Sequence, residues 1–599
     1  MENWTTFFRL YNYLNEILDK KQKRVFVIVC TMSVIGAFLE TLGVGAILPL
    51  ILAILKPETL MDFGIVKSTV VFLGIDSIWG MVLLVSLCVI IVYIIKNFFL
   101  IILGDFKNRY FNRLERDLST MMFSTYIYRP YQFFTDTDTA SIERGITSDI
   151  SGVSSSVTAF CTLFNELMTC LMLGLALIII NPFIAICMIA IAFFITLFMV
   201  KFLRKKISIC GESARNSYIK KGKLIIETIG GIKEIEVVKR QEAFINKFKN
   251  YSFEASRINS KYLTYCILPS RITEIFFIVG LVIVVLASYL YIENVDVLMA
   301  QLSALAVASL RILPSVGNIT NAINMLVFNR TSVENAYFNI VRNSLREENN
   351  NTNESLSSTR KHFASKLSIE NISWKYSEEL PFVLNDVSLT IEKGQSIGLI
   401  GESGNGKTTL ADIILGLYIP QRGQILVDGM SIHDKSTMWH KMIGYVPQNI
   451  YLYDDTIKNN ILFGINEVDC DEERLLRVVK ESQMEEFISE LPNGINTVLG
   501  ERGIRISGGQ RQRIAIARAL YQDPDILVMD EATSALDNDT ENAVMDAINK
   551  FKGNKTLIIV AHRLSTLAKC DRIFEIINGK VYERNTNEVI EKNDRESSN

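Results

Sequence analysis

The sequence has little of the residue types on which many secreted, metal-binding and nucleic-acid-binding proteins depend. Only 4 of its 599 residues are histidine and 9 are cysteine, and no two cysteines form a CxxC pair or have zinc-finger spacing. Most cysteines lie in apolar runs, where cysteine behaves as a small hydrophobe, so we expect reduced thiols and no metal site built from them. A formal net charge of -2, without a basic tract that interleaves aromatics, argues against a nucleic-acid partner.

The N-terminus lacks the pattern of a cleavable signal peptide. Residues 4–18 are amphipathic, and basic residues between 20 and 24 precede an apolar run that is too long for a signal. We therefore expect an interfacial helix that leads into a first membrane span.

Long apolar runs are confined to the first part of the chain, before about residue 330. A helix needs about 20 mostly apolar residues to cross the hydrocarbon core of a bilayer. The runs predict six spans, at roughly residues 25–55, 78–105, 153–181, 183–203, 264–292 and 297–328. Residues 1–343 are therefore expected to form an all-α membrane domain of six helices.

The connections between these spans are alternately short and long. The segments 106–152 and 204–263 are long, polar and basic, and basic residues beside membrane spans stay in the cytoplasm. We expect helical extensions there, with reversals near 136–150 and near 226–238, where a Gly-Gly pair is a credible break. Both termini are then cytoplasmic in a multi-pass protein of the cytoplasmic (inner) membrane.

Ionisable residues interrupt the spans, and such residues usually face a bundle interior or a water-filled cavity. They are Glu40, Lys96, Glu166, Arg271, Glu274 and Arg311. Arg271 and Glu274 are three residues apart on one helix face, so they either neutralise each other or serve a ligand. Lys96 and Arg311 have no adjacent acid, which favours a role facing a cavity. Together, Lys96, Arg271 and Arg311 would suit an anionic head group.

The second half of the chain has a different pattern. Residues 344–365 are polar and rich in Asn and Ser, which predicts a linker between domains. From about residue 366 strands alternate with helices and turns. Residues 366–599 are therefore expected to form an α/β domain with a largely parallel sheet.

A glycine-rich loop follows an apolar strand at the start of this domain. It reads Gly401-Glu402-Ser403-Gly404-Asn405-Gly406-Lys407-Thr408-Thr409 and fits G-x-x-x-x-G-K-[ST] between a strand and a helix. In this pattern backbone N–H groups and the helix N-terminus bind phosphate. Lys407 is predicted to hold the β- and γ-phosphates of ATP, and the Thr408 hydroxyl is predicted to coordinate Mg²⁺.

Two adjacent acids follow a second apolar strand, at residues 526–529. Asp530 is predicted to reach the metal, and Glu531 is predicted to polarise the attacking water. The alternative is a pair of surface acids at a strand end, which the phosphate-binding loop upstream makes a poor explanation.

Around these residues the chain resembles the ABC ATPases. Ser507, Gly508, Gly509 and Gln510 look like the signature motif of that family, with Ile506 where Leu is commoner. The resemblance assigns adenine stacking to Tyr376, γ-phosphate sensing and a metal contact to Gln448, the D-loop to Asp537 and the γ-phosphate switch to His562. One ATPase and six spans resemble a half-transporter of the ABC exporter type (type IV fold). The family implies a homodimer, in which each signature motif completes the ATP site of the other subunit, and alternating access driven by ATP with Mg²⁺.

The membrane half resembles the bacterial flippases of lipid-linked oligosaccharides. The segments that carry this are 38–41, 269–274 and 310–315, with 443–452 in the ATPase half. In those flippases cavity arginines are thought to engage the pyrophosphate, and Arg271 and Arg311 match such positions. Lys96 stands where that family has Arg, and a lysine keeps the charge but loses bidentate phosphate recognition.

The cargo implied by this resemblance is a polyprenyl-pyrophosphate-linked oligosaccharide or a related glycolipid. An outer helix that engages the polyprenyl tail would correspond to the loop at about 56–77, for which an unstructured loop is the alternative. The fold does not fix the cargo, so a peptide, drug or lipid (lipid A-like) exporter stays open. A soluble ABC ATPase conflicts with the six spans, and a scaffold with an inactive ATPase conflicts with the intact catalytic residues.

Overall fold

The computed structural model describes most of the chain and divides it into two compact units. The described residues are 2–47, 49–50, 54, 77–180, 182–291, 295–342, 362–433, 436–500, 503, 506–531, 541, 545, 548–561, 567 and 570–585. The units are Met1–Arg129 with Phe133–Asn351, and Pro130–Gln132 with Thr352–Asn599. The predicted outer helix at 56–77 lies outside the described residues as far as residue 76. The linker lies outside them as far as residue 361.

The described part of the chain up to residue 342 is helical. In chain order the helices are α1 (Glu2–Ile17), α2 (Lys20–Gly45), α3 (Ile78–Ile127), α4 (Tyr131–Asp136), α5 (Thr139–Arg144), α6 (Ile150–Ile180), α7 (Pro182–Gly230), α8 (Ile232–Val237), α9 (Gln241–Tyr291), α10 (Val295–Phe328) and α11 (Arg330–Tyr337). A π-helical turn (Gly145–Asp149) joins α5 to α6, and a second one (Phe338–Arg342) follows α11.

Each of the six predicted spans overlaps a long helix, namely α2, α3, α6, α7, α9 or α10. The end of the first predicted span, beyond residue 50, lies largely outside the described residues. Within the described residues, four segments are long and apolar enough to cross a membrane: Lys20–Gly45, Ile78–Ile127, Thr139–Ile179 and Gln241–Gly280. A fifth apolar segment, Ile312–Phe328, is shorter. The helices are thus where the sequence places them, and the number of spans stays a prediction.

Three helices are much longer than a membrane span. α3, α7 and α9 contain 50, 49 and 51 residues. At about 1.5 Å per residue each is more than twice as long as the roughly 30 Å hydrocarbon core. The predicted helical extensions of the spans are therefore confirmed.

One predicted reversal is confirmed and the other is misplaced. α7 ends at Gly230 and α8 begins at Ile232, inside the predicted break. The other chain reversal follows the end of α3 at Ile127 rather than lying at 136–150, most of which forms α5 and the turn into α6. Pro130 explains the difference, because proline lacks an N–H and disfavours helical geometry in the residue before it.

A buried ionic cluster joins three helices of the first unit at the start of α6. Asp149 is 1% exposed and accepts a hydrogen bond from the Ser332 hydroxyl of α11 at 2.9 Å. Arg144 of α5 and Arg215 of α7 each approach one of its carboxylate oxygens at 3.5 Å. Burial lowers the pKa of Arg144, and the charge of Asp149 opposes this. Asp149 is thus a counter-charge shared by separate parts of the chain.

The second unit contains two sheets. The strands are β1 (Lys366–Trp374), β2 (Leu384–Glu392), β3 (Ser396–Ile400), β4 (Arg422–Val427), β5 (Met430–Ser431), β6 (Ile443–Val446), β7 (Ile526–Asp530), β8 (Thr556–Val560), β9 (Arg572–Ile577) and β10 (Lys580–Arg584). Their order is β10-β9-β3-β8-β7-β6 in one sheet and β2-β1-β4-β5 in the other.

The larger sheet is the predicted parallel sheet. Its pairs β3–β9, β3–β8, β7–β8 and β6–β7 are all parallel, and only β10 is antiparallel. Every residue of β7 and β8 is buried, as is typical of parallel strands covered on both faces. The smaller sheet is antiparallel, which the sequence did not predict.

Helices cover these sheets. They are α12 (Lys407–Ile414), α13 (Ser436–Met442), α14 (Ile457–Leu462), α15 (Glu472–Glu481), α16 (Glu485–Ser489) and α17 (Gly508–Tyr521). Residues of α12 pack into the core between the sheets, whereas residues of α14, α15 and α17 share a second core with β7 and β8.

Removal of the Asp149 carboxylate is expected to destabilise the first unit strongly. Arg144 would keep a buried charge and Arg215 a partly buried one without their counter-ion, and loss of one partner of a buried ion pair costs about 3–5 kcal/mol. The measurement is the Tm of the purified protein for Asp149→Ala. Asp105→Ala is the matched control, because Asp105 pairs with Arg109 at 2.9 Å on an exposed surface, and such pairs contribute about 0–1 kcal/mol. Equal shifts in Tm would contradict the role given to the cluster.

Candidate nucleotide-binding site

Glycines shape the loop between β3 and α12, which we call the phosphate loop (residues 401–409). Gly401, Gly404 and Gly406 have φ angles of +149°, +86° and +99°, which other residues rarely adopt. A Cβ on Gly401 would also collide with the carbonyl oxygen of Ile576. The Asn405 side-chain amide donates to that same carbonyl at 3.1 Å. The loop is thereby held against β9 and leads its N–H groups to the N-terminus of α12.

Lys407 is the cation of the phosphate loop. It begins α12, is 5% exposed, and donates from its ammonium to the carbonyl oxygens of Gly401 and Glu402 at 2.8 and 3.1 Å. Burial lowers the pKa of Lys407, while the nearby negative charges of Glu531 and Asp530 raise it. Lys407 therefore lies within electrostatic range of Glu531, the predicted catalytic residue, and of Asp530, the predicted metal ligand.

The remaining residues of the loop differ in exposure. Ser403 and Thr408 are exposed, whereas Thr409 is buried. The Thr409 hydroxyl lies 3.3 Å from the Tyr376 hydroxyl. The ring of Tyr376 is half-exposed and meets the ring of Trp374 edge-on, with 4.4 Å between centroids. Tyr376 thus flanks the loop with an accessible ring, and Thr409 supports Tyr376.

Residues far apart in sequence meet at the carboxyl ends of the parallel strands. β8 lies between β3 and β7, and Val560 of β8 is the register partner of both Leu399 and Asp530. Asp530 is 1% exposed. The N–H of Glu531 donates to the Val560 carbonyl at 2.8 Å, and Gln448, which follows β6, donates its side-chain amide to Glu531 at 2.5 Å. The predicted acids and glutamine therefore share one edge of the sheet with the phosphate loop.

The backbone of Glu531 is strained. Its φ angle is +48°, in the left-handed region that costs a non-glycine residue about 1–3 kcal/mol. Strain of this kind concentrates at functional sites, where the surrounding structure enforces it. The hydrogen bonds of Glu531 to Val560 and Gln448 supply that enforcement.

The predicted signature residues form the start of α17. The Ser507 hydroxyl accepts from the Gln510 N–H at 3.2 Å, and the Gln510 side-chain oxygen accepts from the Ser507 N–H at 2.8 Å. In this capping box Gly508 and Gly509 occupy the first turn, whose N–H groups lack partners within the helix. The motif is thus a helix N-terminus with partial positive charge.

The sequence-predicted residues of the membrane unit are only partly described. Arg271 donates to Glu274 at 3.0 Å, so the ion pair on one helix face exists. The side chain of Arg271 is nevertheless 73% exposed, which keeps its remaining donors accessible. Lys96 lies beside Gly43, with its ammonium 4.4 Å from the centroid of the Tyr93 ring.

Three predicted site residues lie beyond what the structure describes. Asp537 and His562 are outside the described residues, and so is the side chain of Arg311. The strand that leads to His562 is described, and the N–H of Ala561, immediately before it, donates to the Leu399 carbonyl at 3.3 Å. The predicted roles of these three residues stay predictions.

Asp412 is a residue that the sequence analysis missed. It lies in α12, and burial, together with the charge of Asp530, raises its pKa to about 6. The available signal was a single acid within an apolar helix directly after the phosphate loop. A carboxyl group whose pKa is raised to about 6 therefore lies on the helix that follows the phosphate loop.

Two protein families match this chain. Residues 26–313 match the family described as the ABC transporter transmembrane region, and residues 384–534 match the family described as ABC transporter. The second match contains the phosphate loop, Gln448, the signature residues and both acids. The chain therefore contains a region that matches an ABC transporter transmembrane region, followed by a region that matches an ABC transporter ATPase domain.

Curated relatives of this chain include two ATP-binding proteins and an ATP-dependent flippase. The chain is 35% identical over 376 residues to the heterocyst differentiation ATP-binding protein HepA of Nostoc sp., covering 61% of this chain and 59% of the relative. It is 42% identical over 219 residues to an ATP-dependent lipid A-core flippase of Pseudoalteromonas translucida (36% and 38%). It is 41% identical over 231 residues to the leukotoxin export ATP-binding protein LtxB of Aggregatibacter actinomycetemcomitans (38% and 32%). The matched region of the chain thus spans between about a third and three fifths of the length of these relatives.

Protonation of Asp412 is expected to make stability depend on pH. Its folded-state pKa of about 6 lies above the ordinary value of 3.8, so its contribution is present below pH 4 and is lost as the pH rises through 6. Asp412→Asn should therefore raise the Tm at pH 8 by about 2–4 °C and change it less at pH 5. Asp454→Asn, at an exposed position, is the control. A Tm gain for Asp412→Asn that is equal at both pH values would refute this assignment.

Proposed function

We propose that this protein is an ATP-driven ABC exporter that hydrolyses ATP to move an amphipathic anion across the cytoplasmic membrane. The observation that carries the proposal is the meeting of Lys407, Gln448 and Glu531 at one edge of the parallel sheet. Ligand sites of α/β domains lie at such carboxyl edges. The transmembrane-region match supplies the pathway that couples to this ATPase.

The residues present fit ATP with Mg²⁺. The φ angles of the phosphate loop allow its N–H groups to wrap around phosphates, and the buried Lys407 supplies a positive charge. Thr408, Asp530 and Gln448 would hold the metal, which supplies charge neutralisation on the transferred phosphate. Glu531 would polarise the attacking water, and the Gln448 side-chain amide, which donates to Glu531, would orient its carboxylate. Tyr376 presents its half-exposed ring to adenine.

The assembly that we propose is a homodimer. The Ser507–Gln510 segment is a second helix N-terminus suited to phosphate, and it would complete the ATP site of the partner. The chain has one ATPase domain, with the residues of both half-sites, so two identical copies give two equivalent sites. The proposed D-loop at Asp537 and the switch at His562 would complete them.

The cargo that we propose is a polyprenyl-pyrophosphate-linked oligosaccharide or a related glycolipid. Arg271 supports this, because its exposed guanidinium can bind a phosphate bidentately while Glu274 holds its other edge. Lys96 and Arg311 would add charge to the same head group. A lipid A-like, peptide or drug cargo is the alternative, since a lipid A-core flippase and a leukotoxin exporter are among the relatives. Both termini and the ATPase domain would be cytoplasmic, as the basic segments indicate.

Glu531→Gln is expected to abolish hydrolysis and transport while ATP binding persists. The amide keeps the shape of the carboxylate and its contact with Gln448 but cannot act as a base, so we expect kcat to fall at least about 100-fold. The measurement is ATP-driven flipping of a polyprenyl-pyrophosphate oligosaccharide in proteoliposomes, beside ATPase activity and nucleotide binding. Wild-type flipping that the variant lacks supports the glycolipid cargo. Hydrolysis without flipping would instead point to peptides, drugs or other lipids.

A pair of variants on α9 separates a substrate role of Arg271 from a structural one. If Arg271 binds the cargo, Arg271→Ala lowers transport about 10-fold or more, whereas Glu274→Gln leaves transport intact because it frees the guanidinium. If the ion pair is only structural, both variants should lose transport equally. Basal ATPase activity is expected to stay close to wild type in both. Arg311→Ala is expected to behave like Arg271→Ala.

A further inference from the structure

Arg518 joins α17 to the chain segment that follows Gln448, in addition to the apolar packing that α14 and α17 share. The Arg518 guanidinium donates to the Tyr451 carbonyl at 3.0 Å, to the Asn460 carbonyl at 2.8 Å and to the Asn460 side-chain oxygen at 3.1 Å. Its central carbon lies 4.2 Å from the centroid of the Phe463 ring. Arg518, in the last turn of α17, therefore contacts three residues of the segment 451–463. We call this segment the clamp segment.

Asn460 gives the clamp segment a fixed shape. It is 0% exposed, and its side-chain amide donates to the carbonyls of Tyr453 and Thr456 at 3.1 and 3.0 Å. Its side-chain oxygen also accepts from the Tyr453 N–H at 3.0 Å. Hydrogen bonds within the clamp segment thus hold its shape, and Arg518 connects the segment to α17.

This attachment is costly for a contact that only stabilises the fold. Burial lowers the pKa of Arg518 to about 10, and within the described part of the chain no carboxylate forms a salt bridge with it. Arg518 is half-buried, and a partly desolvated cation without an acidic partner contributes little stability beyond that of an apolar side chain of similar size. What a guanidinium adds is direction, because its planar fork fixes both distance and angle between two elements.

We propose that Arg518 is a positioning residue for ATP hydrolysis, which makes the segment after Gln448 and the helix that begins at Ser507 move as one body. Gln448 contacts Glu531 in one ATP site, and the N-terminus of α17 serves the ATP site of the second copy. A shift of Gln448 when a γ-phosphate binds is thereby passed to the other site. The inference rests on the proposed ATPase function and assigns Arg518 a positioning role within it.

Arg518→Lys tests this directly in the purified full-length protein. Lysine keeps the positive charge near the end of α17 but loses the fork. We expect kcat for ATP to fall about 10-fold or more, because displaced positioning groups cost up to about 100-fold. The KM for ATP should stay roughly within twofold, since the phosphate loop is untouched. The Hill coefficient for ATP should fall toward one.

Arg513→Lys is the matched control. Arg513 lies on the same helix and donates to the Gln483 carbonyl at 2.8 Å, outside the clamp segment. It should keep kcat and the Hill coefficient of the wild type. Phe463→Leu is a second test variant, whose residue is 46% exposed. It removes the stacking under the guanidinium but keeps the hydrogen bonds, so kcat should fall about twofold to threefold.

A double-mutant cycle decides between positioning and simple stabilisation. If Arg518 acts through the segment after Gln448, then Arg518→Lys and Gln448→Ala are non-additive in kcat, whereas independent effects would add. The cycle is repeated with Phe463→Leu, so a poorly folded Arg518 variant does not prevent a result. Additive effects, or an Arg518→Lys variant that matches Arg513→Lys, overturn the inference. A wild type that does not hydrolyse ATP would instead refute the proposed function.

Discussion

The ATPase unit depends on the position of one strand, β8, between β3 and β7. Because Val560 is the register partner of both Leu399 and Asp530, the parallel pairing fixes how the ends of the three strands align. The phosphate loop leaves β3, and Asp530 and Glu531 leave β7, so a slip by one residue would separate Lys407 from the acids and turn Asp530 to the other face. Burial of every residue of β7 and β8 makes such a slip costly.

The geometry at this edge gives the two acids different surroundings, which suit the different roles proposed for them. Asp530 is the last residue of a buried strand and is held rigidly. Glu531 is the first residue outside the strand and turns into a left-handed conformation, which lifts its carboxylate toward Gln448. Gln448 in turn precedes the clamp segment, which Arg518 joins to α17. A continuous path of hydrogen bonds and covalent chain thus runs from Glu531, the proposed catalytic base, to α17.

The membrane unit is organised by buried charge as well as by apolar packing. Asp149 gathers arginines from two helices and a serine from a third at the start of α6. In contrast, Arg271 and Glu274 form their ion pair on an exposed helix face, where such a pair contributes little to stability. The first arrangement serves the fold, whereas the second leaves charged groups available to a ligand. This difference supports the proposal that Arg271 contacts the cargo.

The sequence by itself determined the local chemistry of the protein. Glycine spacing predicted the phosphate loop, because only glycine tolerates its φ angles, and apolar run length predicted where the long helices lie. The Gly-Gly break after α7 followed from the same kind of local rule, whereas the other reversal was placed too late because Pro130 was overlooked. The proposed cargo rests on a resemblance, since no local rule of sequence encodes what a transporter carries.

Tertiary structure alone decided which distant residues act together. The contact of Gln448 with Glu531 spans 83 residues, and that of Arg518 with Asn460 spans 58. The antiparallel sheet, the Asp149 cluster and the raised pKa of Asp412 also depend on burial and on partners from other elements. Sequence periodicity reports which face of an element is apolar, but it does not report which element covers that face. Pairing and desolvation are properties of the packed molecule, and for that reason they emerged only with the fold.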